Sequence, residues 1–324
     1  MAKSERLAED TLFLKKSDAN HTPPPQRSQI IPFQPLIRRA PIAEIAEGLA
    51  KESGQGYGLM LQEMRKAFSD QGTLSGRVKT PASIADKLIR VAQKENITTI
   101  SPSWAKAKIT DAIGFRLILR QGGPQEMDRC VQSLAPLIEN NRMALLEIND
   151  YHGPRCASYL STPNLKTLLK AHQTAHKALP EPLKAPSVQV IHHTPQAVKS
   201  SGYTALQLKV RFQDGTPGEL QIRGPQVEKV ASVEHLVYDI RKGKTLPGRN
   251  VSSSGGLDKR KLETIIHNLS PRQTEDYLAY LAQYYQKARL LEMGVKPQVS
   301  PVLADSLRGF PLLDLRRIHG ASLE

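Results

Sequence analysis

Cysteine, aromatic residues and long apolar runs are all scarce in this chain. Its two cysteines, Cys130 and Cys156, cannot build a disulfide framework, which excludes the stapled secreted scaffolds and makes a reducing compartment, the cytoplasm, the expected setting. No stretch approaches the ~20 apolar residues of a membrane span. The first ten residues lack the apolar run of a secretory signal. Aromatics make up 5% of the 324 residues, with one tryptophan, so the interleaved basic and aromatic platform of single-strand binders is missing. Acidic residues are outnumbered: 45 Lys and Arg against 31 Asp and Glu leave a net charge of +14. Such a chain seeks polyanions, and with few stacking rings its charge points to phosphates rather than bases. No internal repeat is present.

With 39% hydrophobic residues the chain can bury a substantial core. The stretch around which it is organised runs from Tyr203 to Arg223. Thr204, Leu206, Leu208, Val210 and Phe212 fall on one side of a strand, and Tyr203, Gln207, Lys209 and Arg211 on the other. Gln213 to Pro217 is turn chemistry, and the return strand places Leu220 and Ile222 inward with Glu219, Gln221 and Arg223 outward. Paired, the two strands expose a lone carboxylate among a tyrosine, amides and cations. That surface suits an anion and leaves one group to take a proton.

Residues 1–40 combine charge with a Pro23 to Pro25 run and read as a mobile leader. From Pro41 to Ser69 the apolar spacing predicts two helices interrupted by Gly54, Gly56 and Gly58. The segment from Ser75 leads into a helix over Ala82 to Lys94, with Thr80 as N-cap and Pro81 at the first helical position. Arg77, Lys79, Ser83 and Lys87 thus gather at a helix N-terminus, where backbone N–H groups, dipole and cations act together on phosphate. Asp111 heads a strand that carries Arg116, a helix follows over Gln125 to Asn140, and Ala144 to Ile148 forms the next strand. This order predicts a mixed α/β sheet flanked by helices.

Residues 152–200 form a proline- and histidine-rich insertion with one amphipathic helix and a short strand at Val188 to Ile191. Its His172, His176, His192 and His193 can in principle ligate zinc, but no cysteine or carboxylate spacing completes a site, so they read as packing or solvated histidines. After the hairpin, Pro225 to Arg241 is helical, Gly243 to Gly256 is a basic linker, and helices over Lys259 to Leu269 and Pro271 to Met293 end at Gly294. The remaining tail is broken by proline and carries no pattern.

The ordered fragments Gly76-Arg77-Val78-Lys79, Ser83, Lys87, Asp111-x-x-Gly114-x-Arg116, Asp150-Tyr151, Ser201-Gly202-Tyr203, Glu219-x-Gln221-x-Arg223 and Glu234-His235-x-x-Tyr238 resemble the synthetase domain of the RelA/SpoT family, which makes the alarmones guanosine tetra- and pentaphosphate. The resemblance implies a nucleotidyltransferase-like fold of the α+β kind over 41–242, with residues 243–324 a linker and C-terminal helical extension. It implies transfer of the β,γ-pyrophosphate of ATP to the 3′-hydroxyl of an acceptor, GDP or GTP. In that role Arg77 and Arg116 sandwich adenine, Lys79, Ser83 and Lys87 hold the triphosphate, and Asp111 binds Mg²⁺. Glu219 contacts the metal or takes the 3′-hydroxyl proton, Tyr203 stacks on the acceptor base, and Gln207, Gln221 and Arg223 complete that side.

Two departures bear on the acceptor. The family's Arg-Ser-Leu-His after Gly-Tyr is Thr204-Ala205-Leu206-Gln207 here, and about fifty residues separate Asp150 from Gly202. With no His-Asp dipeptide and no room for a hydrolase domain, the chain resembles a short, synthesis-only member. Three readings stay open: a GDP/GTP pyrophosphokinase, a toxin or delivered effector acting on adenine nucleotides or the 3′ end of tRNA, and a nucleotide- or RNA-binding protein without catalysis.

Overall fold

The computed structural model describes residues 39–152, 158–178, 189–192, 201–241, 259–298 and 300–315. The chain divides into two compact units, Met1–Leu36 and Ile37–Glu324, and all described residues lie in the second. The expected leader up to residue 38, Cys156, His193, much of the insertion and the linker 243–256 lie outside the described residues.

Helix α1 (Arg39–Ala67) is continuous, a correction to the two helices expected from its glycines. Each interior glycine costs a helix about 1 kcal/mol, but both ends of α1 are anchored. Ile42 and Ala46 pack with α2 (Pro81–Lys94) and α3 (Pro102–Lys108), while Met60, Met64 and the following Phe68 pack on the sheet. The stretch expected only to lead into α2 is itself a strand, β1 (Gly72–Val78). It lies at the sheet edge with three of its seven residues exposed, so its apolar signal is weak.

The remaining elements fall close to the expected spans. They are β2 (Ile113–Leu119), α4 (Pro124–Glu139), β3 (Met143–Tyr151), α5 (Thr162–Ala178), β4 (Gln189–His192), β5 (Ala205–Phe212), β6 (Pro217–Arg223), α6 (Pro225–Arg241), α7 (Lys259–His267) and α8 (Pro271–Glu292). The caps explain several boundaries. Thr80 Oγ1 accepts from the Ser83 N–H at 3.3 Å with Pro81 following, and Ser270 forms a reciprocal capping box with Gln273.

The sheet has the order β1-β2-β6-β5-β3-β4, with β2–β6 and β3–β4 parallel and the other pairs antiparallel. Its apolar face carries Phe115, Leu117, Leu206, Leu208, Leu220 and Ile222 against α1, α4 and α5. Gly76 belongs to this face. A Cβ there would lie 2.7 Å from the Phe115 ring, which stacks on Tyr57 with centroids 5.9 Å apart. A second core joins α6, α7 and α8 with Tyr203 and the tail residues Leu307, Leu313 and Leu315. The described part of the tail, which carried no sequence pattern, therefore packs. Tyr277, Tyr280, Tyr284 and Tyr285 are all buried there, so α8 spends four of the chain's nine tyrosines on packing.

Candidate active site

The polar face of the sheet brings the expected residues into two adjacent rungs. One rung reads Arg77, Gly114, Glu219, Lys209 and Glu147 across β1, β2, β6, β5 and β3. The next reads Ser75, Arg116, Gln221, Gln207 and Asn149. Side chains on paired residues of neighbouring strands stand side by side, so five fragments scattered from residue 75 to residue 221 form one surface.

Glu147 and Asn149 reach that surface through a bulge. The β3–β5 register shifts between Leu145 and Glu147, inserting Leu146 as an extra residue. Leu145 and Ile148 still face the core, while Glu147 and Asn149 turn outward. Glu219 is consequently not the lone carboxylate of the face. Lys209 Nζ donates to Glu147 Oε2 at 2.7 Å, and Asn149 Nδ2 donates to Glu147 Oε1 at 2.6 Å.

Beside Arg77, Lys79 and Lys87 converge on Asp111. The Lys79 N–H donates to the Ala112 carbonyl at 2.8 Å, extending the β1–β2 ladder and setting Lys79 next to Asp111. Lys79 Nζ donates to Asp111 Oδ2, and Lys87 Nζ, one turn beyond Ser83 on α2, donates to Asp111 Oδ1 at 2.7 Å. Burial alone would raise the Asp111 carboxyl, but the two ammonium groups outweigh it and hold it below the usual carboxylate range. Burial lowers Lys79 against the pull of Asp111, and Glu219 is near enough to act on the same ammonium. Ser83 is exposed in the first turn of α2, within 3.1 Å of Thr80 Oγ1.

On the second rung, Arg116 Nη1 donates to Glu228 Oε1 of α6 at 3.1 Å. Gln221 Nε2 donates to Glu219 Oε1 at 2.6 Å, and Arg223 Nη2 donates to Gln221 Oε1 at 3.2 Å. Gln207 is half-buried on the same rung. Gly114 leaves the space between Arg77 and Glu219 open, since a Cβ there would meet only the Arg77 Cγ, at 4.0 Å.

Tyr203 lies beside the outward-facing Arg223, within electrostatic range of Glu219 and Arg116, but it is enclosed rather than exposed. Strand β5 begins at Ala205, and Tyr203 is 3% exposed in the second core. Its ring meets Tyr151 and Tyr285 edge-on at 5.8 and 6.0 Å, and the Arg223 guanidinium lies 5.8 Å from its centre. Burial pushes its phenol up to about 12 despite Arg223. Arg223 is also fully buried, at 0% exposure. Asp150 is enclosed as well. It is buried and accepts from the N–H groups of Tyr159 and Leu160, each at 3.1 Å, and from Ser158 Oγ, so it pins the start of the insertion.

Sequence reasoning missed Glu147, Asn149 and Glu228 as site residues. No local pattern marks the bulge, and Glu228 is one more acidic residue in the first turn of a helix. Among the described residues no group of three or more His, Cys, Asp or Glu is arranged to hold a metal ion. His172 and His176 instead pack against one another with ring centroids 5.8 Å apart. No described helix is long and apolar enough to cross a membrane.

A mixed sheet flanked by helices, with a cationic, carboxylate-bearing face, defines an α/β protein, and comparison narrows the class. The family profile described as the region found in RelA / SpoT proteins matches residues 76–242, just over half of the chain, and the chain belongs to that family. Among solved structures, the small alarmone synthetase 2 from Bacillus subtilis is similar at 16% identity and a TM-score of 0.37, over 78% of this chain and 94% of that one. The small alarmone synthetase 1 from the same organism is similar at 15% identity and a TM-score of 0.35, over 71% and 94%. No curated protein matches.

Proposed function

We propose that this protein is an ATP-dependent pyrophosphokinase that transfers the β,γ-pyrophosphate of ATP to the 3′-hydroxyl of a nucleotide acceptor, with GDP or GTP the first candidates. The observation that carries this reading is the rung on which Arg77 and Glu219 flank the open space at Gly114, next to the Lys79–Asp111–Lys87 cluster. Membership of the RelA/SpoT family supports the same reaction class.

The residues divide the work. Arg77 and Arg116 lie on adjacent rungs and adjacent strands, and planar guanidinium groups stack on a base where lysine would not. Lys79 and Lys87 are presented to the triphosphate, with Ser83 in the first turn of α2 adding its hydroxyl and the helix N-terminus its dipole. Glu219 accepts the proton of the 3′-hydroxyl. The bond from that oxygen to the β-phosphorus forms, the bond from the β-phosphorus to the bridging oxygen of the α-phosphate breaks, and AMP leaves with that oxygen. Such transfer rests on positioning and charge neutralisation, so cations and one base suffice from the protein.

Magnesium fits the donor set. A Mg²⁺ held mainly by phosphate oxygens takes one or two protein carboxylates. Asp111 and Glu219 both lie within electrostatic range of Lys79. Asp111 would hold the ion as its ammonium partners turn to phosphate, and the ion would supply charge neutralisation at the transferred group.

Gln207 and Gln221 face the acceptor, and the loss of the family's histidine at Gln207 makes the acceptor's identity the open variable. Thin-layer separation after incubation with γ-labelled ATP and Mg²⁺, with GDP, GTP, ADP, ATP or bulk tRNA offered separately, tests the proposal. A labelled product with one acceptor, lost in Glu219→Gln, is the expected result. Product from tRNA or an adenine nucleotide alone would replace the guanine acceptor, and no product from any would favour a binding protein.

A further inference from the structure

The reaction above uses Arg116 and Glu219 but gives Glu228 nothing to do. Glu228 sits in the first turn of α6 with its side chain 20% exposed. Its Oε1 accepts from Arg116 Nη1 at 3.1 Å, and its Oε2 lies 2.7 Å from Arg223 Nε, an ion contact too bent for a hydrogen bond. From Arg223 the chain of contacts continues through Gln221 to Glu219 Oε1. One carboxylate on a helix therefore touches an arginine of the adenine site directly and reaches the proposed base through two side chains.

The arrangement has a physical need behind it. Arg116 and Arg223 are close enough that burial and the Arg223 charge together lower the Arg116 pKa, with Glu228 acting against them. Arg223 has no exposed surface through which water could screen it. Without a carboxylate between them the two guanidinium groups repel in a poorly screened setting. Arg116 is the one that can move, because its side chain is 33% exposed and that of Arg223 is not.

We infer that Glu228 is a positioning residue that couples the ATP site to the base, holding Arg116 in its stacking plane and, through Arg223 and Gln221, aiming the carboxylate of Glu219. This rests on Arg116 being an ATP ligand. The test therefore measures ATP binding before turnover.

Equilibrium dialysis of labelled ATP against the full chain compares wild type, Glu228→Gln, Glu228→Asp, Arg116→Ala and the Arg116→Ala/Glu228→Gln pair. Glu228→Gln is expected to weaken binding about tenfold, which corresponds to ~1.4 kcal/mol. Glu228→Asp, with the charge on a shorter stem, falls between it and wild type. The double variant binds no more weakly than Arg116→Ala alone, because the two act through one contact. In the transfer assay Glu228→Gln lowers kcat as well as raising KM, whereas a merely structural role, which only reduces the folded fraction, lowers apparent kcat and leaves KM unchanged. Wild-type affinity in both Glu228 variants, or losses that add in the double variant, overturns the inference. A wild-type chain that binds no ATP overturns the proposed function, and the inference falls with it.

Discussion

Arg77 and Glu219 stand on one rung of the sheet, two strands apart, and the residue between them is Gly114. The absence of a side chain there leaves an open gap between a cation and a carboxylate, the space that the proposed reaction requires for a phosphate chain.

Replacing Gly114 with valine tests this relationship. The new Cβ meets nothing nearer than Arg77 Cγ at 4.0 Å, so the strand accommodates it. Glycine also weakens strand interiors, so the melting temperature is expected to hold or rise. Turnover should drop at least about a hundredfold, the order seen when a transition-state contact is lost. Retained activity with retained stability would show that reaction takes place elsewhere on the face.

Asp111→Asn separates charge from shape. The amide leaves Lys79 and Lys87 facing each other without a counter-ion. Turnover should be abolished with the fold intact. The wild-type Asp111 carboxyl is held low, so its stabilising share is present above its ordinary titration range and is lost as pH falls through the folded value. Melting curves of the two proteins should therefore draw together at the acid end. Activity near wild type in the variant would remove Asp111 from the site.

Glu292 makes the opposite prediction. It closes α8 by accepting from the Val227 N–H at 2.8 Å, at the start of α6, while Arg289 Nη1 donates to the Gly122 carbonyl at 2.9 Å. Burial pushes its carboxyl up from 4.5 to about 7, against the pull of the Val227 N–H and Arg289. Between those values the folded chain holds a proton that the unfolded chain has released, so this group's contribution is largest at low pH and is lost as pH rises through the folded value. A shift from 4.5 to about 7 is worth roughly 3 kcal/mol. Glu292→Gln keeps an oxygen for the Val227 N–H, and its melting temperature should overtake that of wild type as pH is raised from 5 to 8. Parallel curves across that range would count against a buried, neutral carboxyl at Glu292.

Much of the site was legible because strands alternate. Gln207, Lys209, Glu219 and Gln221 take the outward side of the hairpin in the structure as in the pattern. What the pattern did not show at Tyr203 is its burial: the ring sits beside Arg223 but packs against Tyr151 and Tyr285, an aromatic enclosure supplied by other elements. Glu147 and Asn149 were illegible because one inserted residue reverses a strand's sides, and nothing in the residues from Met143 to Tyr151 announces the insertion.

By itself the sequence determined the cap at Thr80, the inward and outward sides of the hairpin, the run of helix over α6, and the ordered fragments that mark the family. These depend on neighbours a few residues apart, where sterics and local hydrogen bonds decide. Tertiary structure decided that α1 runs through its glycines, that β1 pairs at the edge, and that Tyr203 is enclosed. It also decided that Glu228 reaches two arginines from another element. Each of those outcomes is set by burial and charge contributed from far along the chain, which no local pattern carries.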